Sequence, residues 1–299
     1  MSKIIVSPSE AKIAWIGTGI MGAPMAMHLV DAGYDVSVYS RTKSKAEKLI
    51  AKGCKWYDSP ESAAAKCNII FTIVGYPVDV EEVYFGENGI LKSLKKDSVV
   101  IDMTTTLPGL AIRIDKECRK AGAHAVDAPV SGGEVGAVNG ALSVMIGGEK
   151  DVVEQVMPII DTFSKNMVYQ GKAGAGQHTK MCNQITIAST MIGVCEAMLY
   201  GAKAGLDLNT VLGSISKGAA GCWSLDVLAP KIVAGDFEPG FIVEHFIKDL
   251  GIVLKEAELM QLILPGTSLA KELYESVVDM GKGGKGTQAL YFAIKKMSE

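Results

Sequence analysis

Three glycines in a fixed frame constrain this chain more than any other feature. Gly17, Gly19 and Gly22 form a GxGxxG turn that directly follows the short apolar run KIAWI at 12–16, and helical spacing continues from Ala23 to Ala32. A strand, a glycine turn and a helix in that order specify a narrow geometry. Gly17 permits the tight turn, Gly19 lets the backbone approach a pyrophosphate, and Gly22 lets the helix pack closely on the strand. The helix then offers unpaired N–H groups and its positive dipole end to an anion. Gly17, Thr18, Gly19, Ile20, Met21 and Gly22 are therefore candidate dinucleotide contacts.

The end of the second strand selects the dinucleotide. DVSVYS at 35–40 is β-branched, and Ser40, Arg41 and Thr42 follow, with Lys43 and Lys45 close behind. An NAD site places Asp or Glu there to bind the ribose 2′-hydroxyl. A carboxylate would repel a 2′-phosphate, whereas Arg41 can clamp one and stack on the adenine. Asp35 lies at the wrong end of the strand. The expected cofactor is NADP(H), with Ser40, Arg41 and Thr42 at its 2′ end.

Further strand-like runs occur at 68–74, 98–103, 123–130 and 141–148, and helical patterns occur at 43–53, 78–84, 107–121 and 151–164. This alternation implies an α/β fold with a parallel sheet and right-handed crossovers. After Gly176 the texture changes to long helical patterns with almost no strand signal. We therefore expect an N-terminal Rossmann-type domain over residues 1–172 and a C-terminal all-α domain over 173–299. The small-residue segment GKAGAGQ at 171–177 serves as the turn into a long helix.

Two segments carry candidate chemistry. GAGQHTKMCNQ at 174–184 opens that long helix, and Lys180 and Asn183 lie three residues apart on one face. A lysine in a desolvated cleft can give a proton to a carbonyl oxygen and take it back from the alcohol. A helix lysine is more often a solvated charge, but the apolar residues after Lys180 turn its face inward. In DAPVSGGEVGA at 127–137, Ser131, Gly132 and Gly133 offer a hydroxyl and backbone N–H groups to a carboxylate. Trp223, Leu225, Phe241 and His245 are candidate pocket residues or core.

Four stretches in order, IGTGIMGAPMAMHL at 16–29, DAPVSGGEVGAVNGALSVMIGG at 127–148, GAGQHTKMCNQ at 174–184 and IKDLG at 247–251, resemble the β-hydroxyacid dehydrogenase family. The family includes 3-hydroxyisobutyrate dehydrogenase, tartronate semialdehyde reductase and glyoxylate/succinic semialdehyde reductases. The resemblance implies Lys180 as catalytic acid/base, with Ser131, Gly132, Gly133 and Asn183 on the substrate. It places Thr105 near the nicotinamide ribose, Val74 to Pro77 along the adenosine, and Lys248, supported by Asp249, at the cofactor. VGYP at 74–77 departs from the leucine–proline pair of many relatives. The resemblance also implies a homodimer or homotetramer built through the helical domain.

Composition narrows the function classes. The 33 acidic and 30 basic side chains leave a formal charge of −3, which gives no footprint for nucleic acid or an anionic membrane. The apolar stretch Ile185 to Tyr200 is interrupted by Thr186, Ser189, Thr190 and Glu196, so it reads as a buried helix. The start MSKIIVSPSE has no secretory pattern. The six cysteines form no CxxC pair, and we expect reduced thiols in a cytoplasmic protein. The four histidines lack ligand spacing, so no metal is expected. His178 is a weaker acid/base candidate than Lys180. The three arginines, Arg41, Arg113 and Arg119, all precede the helical domain, which argues against a phosphorylated sugar acid as substrate. The expected reaction is reversible reduction of a short aldehyde-acid to its hydroxy acid. The alternatives are an NAD-dependent 3-hydroxyisobutyrate-type dehydrogenase and a non-catalytic NADP-binding sensor.

Overall fold

The computed structural model describes residues 4–299, and the chain divides into two compact units, Met1–Lys180 and Met181–Glu299. Among the described residues, the first unit is a nine-stranded sheet with helices on both faces. It runs β1 (Lys12–Ile16), α1 (Gly22–Asp31), β2 (Asp35–Tyr39), α2 (Glu47–Ala51), β3 (Lys55–Trp56), α3 (Pro60–Ala64) and β4 (Ile69–Thr72). It continues with α4 (Pro77–Phe85), β5 (Val99–Asp102), α5 (Pro108–Lys120), β6 (His124–Asp127) and β7 (Val130–Ser131). The remaining elements are α6 (Gly133–Val138), β8 (Leu142–Gly148), α7 (Lys150–Ile160) and β9 (Ser164–Gly171). The strand order is β3-β2-β1-β4-β5-β6-β8-β7, with β9 on β8. All pairings from β3 to β6 are parallel, while β8 runs antiparallel to β6 and β7. The order reverses between β1 and β4, where a doubly wound sheet opens its ligand crevice.

Residues of the central strands are buried on both faces, and alternation sorts them into two cores. Ile13, Trp15, Ile69, Phe71, Val99 and Ile101 join α1 and α7 through Met25, Leu29, Val152, Val156 and Ile160. Ala14, Ile16, Ile70 and Val100 face α3, α4 and α5 through Ala63, Val80, Tyr84, Leu110 and Ile114. Trp15 stacks on Phe71 at 5.1 Å, and Phe163 closes the cluster edge-on at 6.0 Å from each ring.

The second unit is helical among its described residues. It comprises most of α8 (Ala175–Lys203), with α9 (Leu208–Ile215), α10 (Trp223–Ala234), α11 (Val243–Leu259), α12 (Pro265–Asp279) and α13 (Leu290–Met297). A stripe of α8, Ala188, Met191, Val194, Cys195 and Met198, packs with Leu228, Phe246, Leu250, Tyr274 and Leu290. Helix α8 is long and apolar enough to cross a membrane by length and composition alone. Here that stripe joins the core of the helical unit, while Thr186, Ser189, Glu196 and Tyr200 are exposed, so α8 is buried along one face and not all round as expected.

Three sequence expectations differ from the structure. Residues 164–171, placed in the Rossmann-type domain but without an expected strand, form β9 on the far edge of the sheet. Half of its residues are exposed and only Ser164 is buried, so the apolar alternation that marks a strand is missing. The helix expected over 43–53 is a 3₁₀ turn at Lys43–Ala46 followed by the short α2. The single run 123–130 is split into β6 and β7.

Candidate active site

The β1–α1 turn is built as its glycines require. Gly17 adopts φ +101° and donates its N–H to the Tyr39 carbonyl at 2.8 Å. A Cβ on Gly22 would lie 2.0 Å from the Gly17 carbonyl oxygen and 2.8 Å from Ile73 Cγ2, so any side chain there would push α1 off the turn. Around Gly19, by contrast, an added Cβ meets no protein atom, leaving an open approach. Among the described residues, helix α1 has no side-chain cap and the buried Thr18 hydroxyl has no hydrogen-bond partner. Uncapped N–H groups and an orphaned hydroxyl at one glycine turn fit a dinucleotide pyrophosphate. Ile20 is exposed and Met21 half-buried on the same turn.

At the end of β2, Ser40 is buried, while Arg41 and Thr42 are exposed. The Arg41 side chain is 78% exposed, and its Nη1 donates to Asp79 Oδ1 at 2.7 Å. Asp79 is held in turn by the Tyr76 N–H, which donates to Oδ2 at 3.0 Å. Sequence reasoning missed this carboxylate, which lies 38 residues from its partner. Lys43 sits over the Trp56 ring at 4.6 Å. The Val74 N–H donates to the Thr104 hydroxyl at 3.0 Å, tying the VGYP loop to the turn that carries Thr105.

Lys180 is 6% exposed, and its Nζ donates to the Val130 carbonyl at 2.8 Å. Val130 immediately precedes Ser131, so the lysine ammonium is fixed beside the Ser131–Gly132–Gly133 turn. Ser131 closes β7, and Gly132 takes φ +129° ahead of α6. Only glycine adopts that backbone without strain. Lys180 is therefore not a solvated surface charge. His178 on the same helix is exposed.

The start of α8 is held from the sheet. The Asp127 carboxylate accepts the Gly174 N–H at 2.8 Å and the Gln177 N–H at 2.9 Å. It caps the helix from the end of β6, a role for which sequence offered no signal beyond the DAPV motif. Burial pushes its carboxyl up from the usual range, and the backbone donors pull it back only in part.

Within the helical unit a second polar chain forms. Asn183 Nδ2 donates to Gln184 Oε1 at 2.6 Å, and Gln184 Nε2 donates to Asp249 Oδ2 at 2.7 Å. Lys248 Nζ pairs with Asp249 Oδ1 at 2.8 Å. Asn183, Lys248 and Asp249, all named from sequence, are thus joined through Gln184, which was not. Of the candidate pocket residues, Leu225 is core, Trp223 is exposed at the start of α10, and Phe241 packs on Phe246 and His245.

Comparison with known proteins finds family matches over both parts of the chain. Residues 12–171 fit the model for the NAD binding domain of 6-phosphogluconate dehydrogenase. Residues 174–294 fit the model described as NAD-binding of NADP-dependent 3-hydroxyisobutyrate dehydrogenase. The chain is 47% identical to a probable 3-hydroxyisobutyrate dehydrogenase-like protein of Arabidopsis thaliana, over all of this chain and 89% of that one. This chain belongs to the β-hydroxyacid dehydrogenase family. It is 35% identical to the 2-hydroxy-3-oxopropionate reductase of Escherichia coli, over 96% of this chain and 98% of that one. The 3-hydroxyisobutyrate dehydrogenase of Mycobacterium tuberculosis, solved with L-serine, superposes with a TM-score of 0.86 at 27% identity, covering 95% of this chain and 99% of that one. As a β-hydroxyacid dehydrogenase family member, the chain has NAD(P)-binding architecture and the reaction class of an NAD(P)-dependent hydroxyacid dehydrogenase.

Proposed function

We propose that this β-hydroxyacid dehydrogenase family member reduces a short, unphosphorylated aldehyde-acid to its hydroxy acid, reversibly, with NADP(H) and with Lys180 as general acid/base. The observation that carries the reading is the burial of the Lys180 ammonium against the carbonyl of Val130, next to the Ser131–Gly133 turn. A substrate carboxylate takes hydrogen bonds from the Ser131 hydroxyl and the backbone N–H groups of Gly132 and Gly133. Lys180 then gives a proton to the carbonyl oxygen during reduction and takes one from the hydroxyl during oxidation. Asn183, one turn along the same helix, orients that oxygen. The bound nicotinamide supplies or accepts the hydride. Gly17 to Gly22 bind the pyrophosphate, Ser40, Arg41 and Thr42 the 2′ end, Val74 the adenosine side and Thr105 the ribose. Lys248 keeps the cofactor role given by the resemblance, braced by Asp249.

Support for NADP(H) comes from Arg41, whose exposed guanidinium has five N–H donors and commits one of its nitrogens to Asp79. The same ion pair favours a second reading, dependence on NAD, because Asp79 sets a carboxylate close to where a 2′-phosphate would bind. Homo-oligomerisation through the helical unit is supported by its exposed apolar side chains, among them Tyr200, Leu259 and Ile263, the last 91% exposed. A cytoplasmic location is proposed from the six unpaired thiols.

The test follows NADPH and NADH oxidation with glyoxylate, tartronate semialdehyde, methylmalonate semialdehyde and succinic semialdehyde, with light scattering for subunit number. Turnover of one acid with NADPH preferred supports the reading, and preference for NADH replaces the cofactor assignment. Lys180→Met should lower kcat by about 10²–10⁴-fold with cofactor binding kept. Unchanged turnover in that variant would remove Lys180 as the acid/base. NADPH binding without turnover of any acid would favour a sensor.

A further inference from the structure

Gln177 is fully buried in the first turn of α8, three residues before Lys180. Its side-chain amide is used in both directions by one short stretch of backbone. Nε2 donates to the Thr104 carbonyl at 2.7 Å, and Oε1 accepts the Thr106 N–H at 3.0 Å. The amide thus brackets Thr105, the half-buried residue between two buried threonines. Neither bond is local, since the partners lie 73 and 71 residues away.

The ends of this bridge are themselves fixed. The backbone N–H of Gln177 donates to Asp127 Oδ2, and the Thr104 hydroxyl accepts the Val74 N–H. The Thr104 N–H is bound to Asp102 Oδ1 at 3.1 Å. A continuous set of hydrogen bonds therefore runs from the VGYP loop, through the Thr104–Thr106 turn and Gln177, to the helix turn that carries Lys180. A buried glutamine that only satisfies itself needs no such pairing with successive backbone groups of one turn.

We propose that Gln177 is a positioning residue, which fixes the Thr104–Thr106 turn against the base of α8 and so sets the distance between the nicotinamide side of the cofactor site and the Lys180 ammonium. The inference rests on the proposed function, with Lys180 as the acid/base and Thr105 at the nicotinamide ribose. Both ends of the Gln177 amide are taken up by backbone groups, so its part in the reaction is indirect. It acts by holding Thr105 and Lys180 on one rigid unit, where a displacement of about 1 Å can cost about a hundredfold in rate. Dinucleotide affinity, which comes mainly from the glycine turn and the 2′ end, is left largely intact.

Three proteins test this: wild type, Gln177→Met, which keeps volume and loses both bonds, and Gln177→Glu. A protonated glutamic acid restores both bonds, whereas an ionised one cannot donate to the Thr104 carbonyl. Hydrogen exchange over 103–107 without cofactor is read first, and exchange there should quicken at least about tenfold in Gln177→Met, with β1 and β4 unchanged. NADPH affinity by fluorescence should move less than about threefold, while kcat falls at least about tenfold. With deuterium at the transferred position of NADPH the isotope effect should rise. Gln177→Glu should approach wild type at low pH and lose activity as pH rises.

Unchanged exchange over 103–107, or wild-type kcat and isotope effect in Gln177→Met, would overturn the proposal. A loss of NADPH affinity as large as the loss of kcat would overturn it in favour of a cofactor-binding role. Lys180→Met keeps the two levels apart. If that variant turns over normally, the acid/base reading fails, and with it the distance argument. If it is inactive while Gln177→Met is normal, only the positioning role fails.

Discussion

Asp102 closes β5 with its carboxyl buried, and its charge should make the sheet less stable as pH rises. Oδ1 accepts the Thr72 hydroxyl at 2.8 Å and the Thr104 N–H, and the Thr72 hydroxyl also meets the Tyr84 hydroxyl at 2.9 Å. Oδ2 has no partner among the described residues, and Asp102 lines a cavity of about 10 Å³ with Asp127 and Ala173. Burial pushes the Asp102 carboxyl up to about 6, from 3.8, against the opposing pull of the Thr104 and Thr72 hydrogen bonds. Between those two values the folded protein holds a proton that the unfolded chain has released, so stability falls as pH rises through this window. Below it both states are protonated and the penalty is absent. Above it the penalty is complete. Two pKa units correspond to about 3 kcal/mol.

Asp102→Asn removes the titration but keeps an acceptor for Thr72 and Thr104. The variant's stability relative to wild type should therefore rise by about 2–3 kcal/mol between about pH 4 and pH 7. Any constant cost of burying the new amide cancels in that difference. Native-state hydrogen exchange of the β4 and β5 amides, corrected for the intrinsic pH dependence, measures it in the sheet concerned. A difference flat to within about 0.5 kcal/mol, or one that falls with pH, would refute the assignment of a penalised carboxylate here.

Two further outcomes test the cofactor face. Arg41→Ala should raise the KM for NADPH about 10–100-fold, in line with the loss of a charge-assisted bond, and leave that for NADH within about threefold; equal changes for both would show that Arg41 does not read the 2′ end. Gly22→Ala should lower stability by about 1–3 kcal/mol in thermal unfolding and weaken NADPH binding, because its Cβ would lie 2.0 Å from the Gly17 carbonyl oxygen; a variant with wild-type Tm and affinity would disprove the close packing of turn and helix.

The fold was legible where the chain repeats a local rule. Strand, glycine turn and helix at 12–32 follow from apolar runs and the backbone demands of Gly17 and Gly22, and the central strands follow from their uninterrupted apolar character. Strand β9 was lost because its backbone pairs with β8 while half of its residues are exposed and none of its apolar ones is fully buried. The site was legible in its separate parts, Lys180, the Ser131 turn and Arg41, because each residue type suits its chemistry. What binds those parts was not. Asp79 lies 38 residues from Arg41, Asp127 lies 50 from Gln177, and Gln177 lies 71 from Thr106. Single polar residues that bond across such separations leave no period in the sequence, and a glutamine in a glycine-rich segment reads as exposed.

A trace was nevertheless present, carried by glycine rather than by the polar residues. A Cβ on Gly147 would stand 2.5 Å from Asp127 Oδ1, and one on Gly176 would stand 2.8 Å from Asp127 Oδ2 and 2.6 Å from the Asp127 carbonyl oxygen. Two glycines 29 residues apart are thus both required by the space around a single carboxylate. Asp127 can cap α8 only because neither neighbour brings a side chain between it and the helix N–H groups. In a segment such as GKAGAGQ, small residues therefore mark a close approach of backbone to an acceptor as readily as a flexible linker. The polar residue to look for lies at the end of a strand elsewhere in the chain.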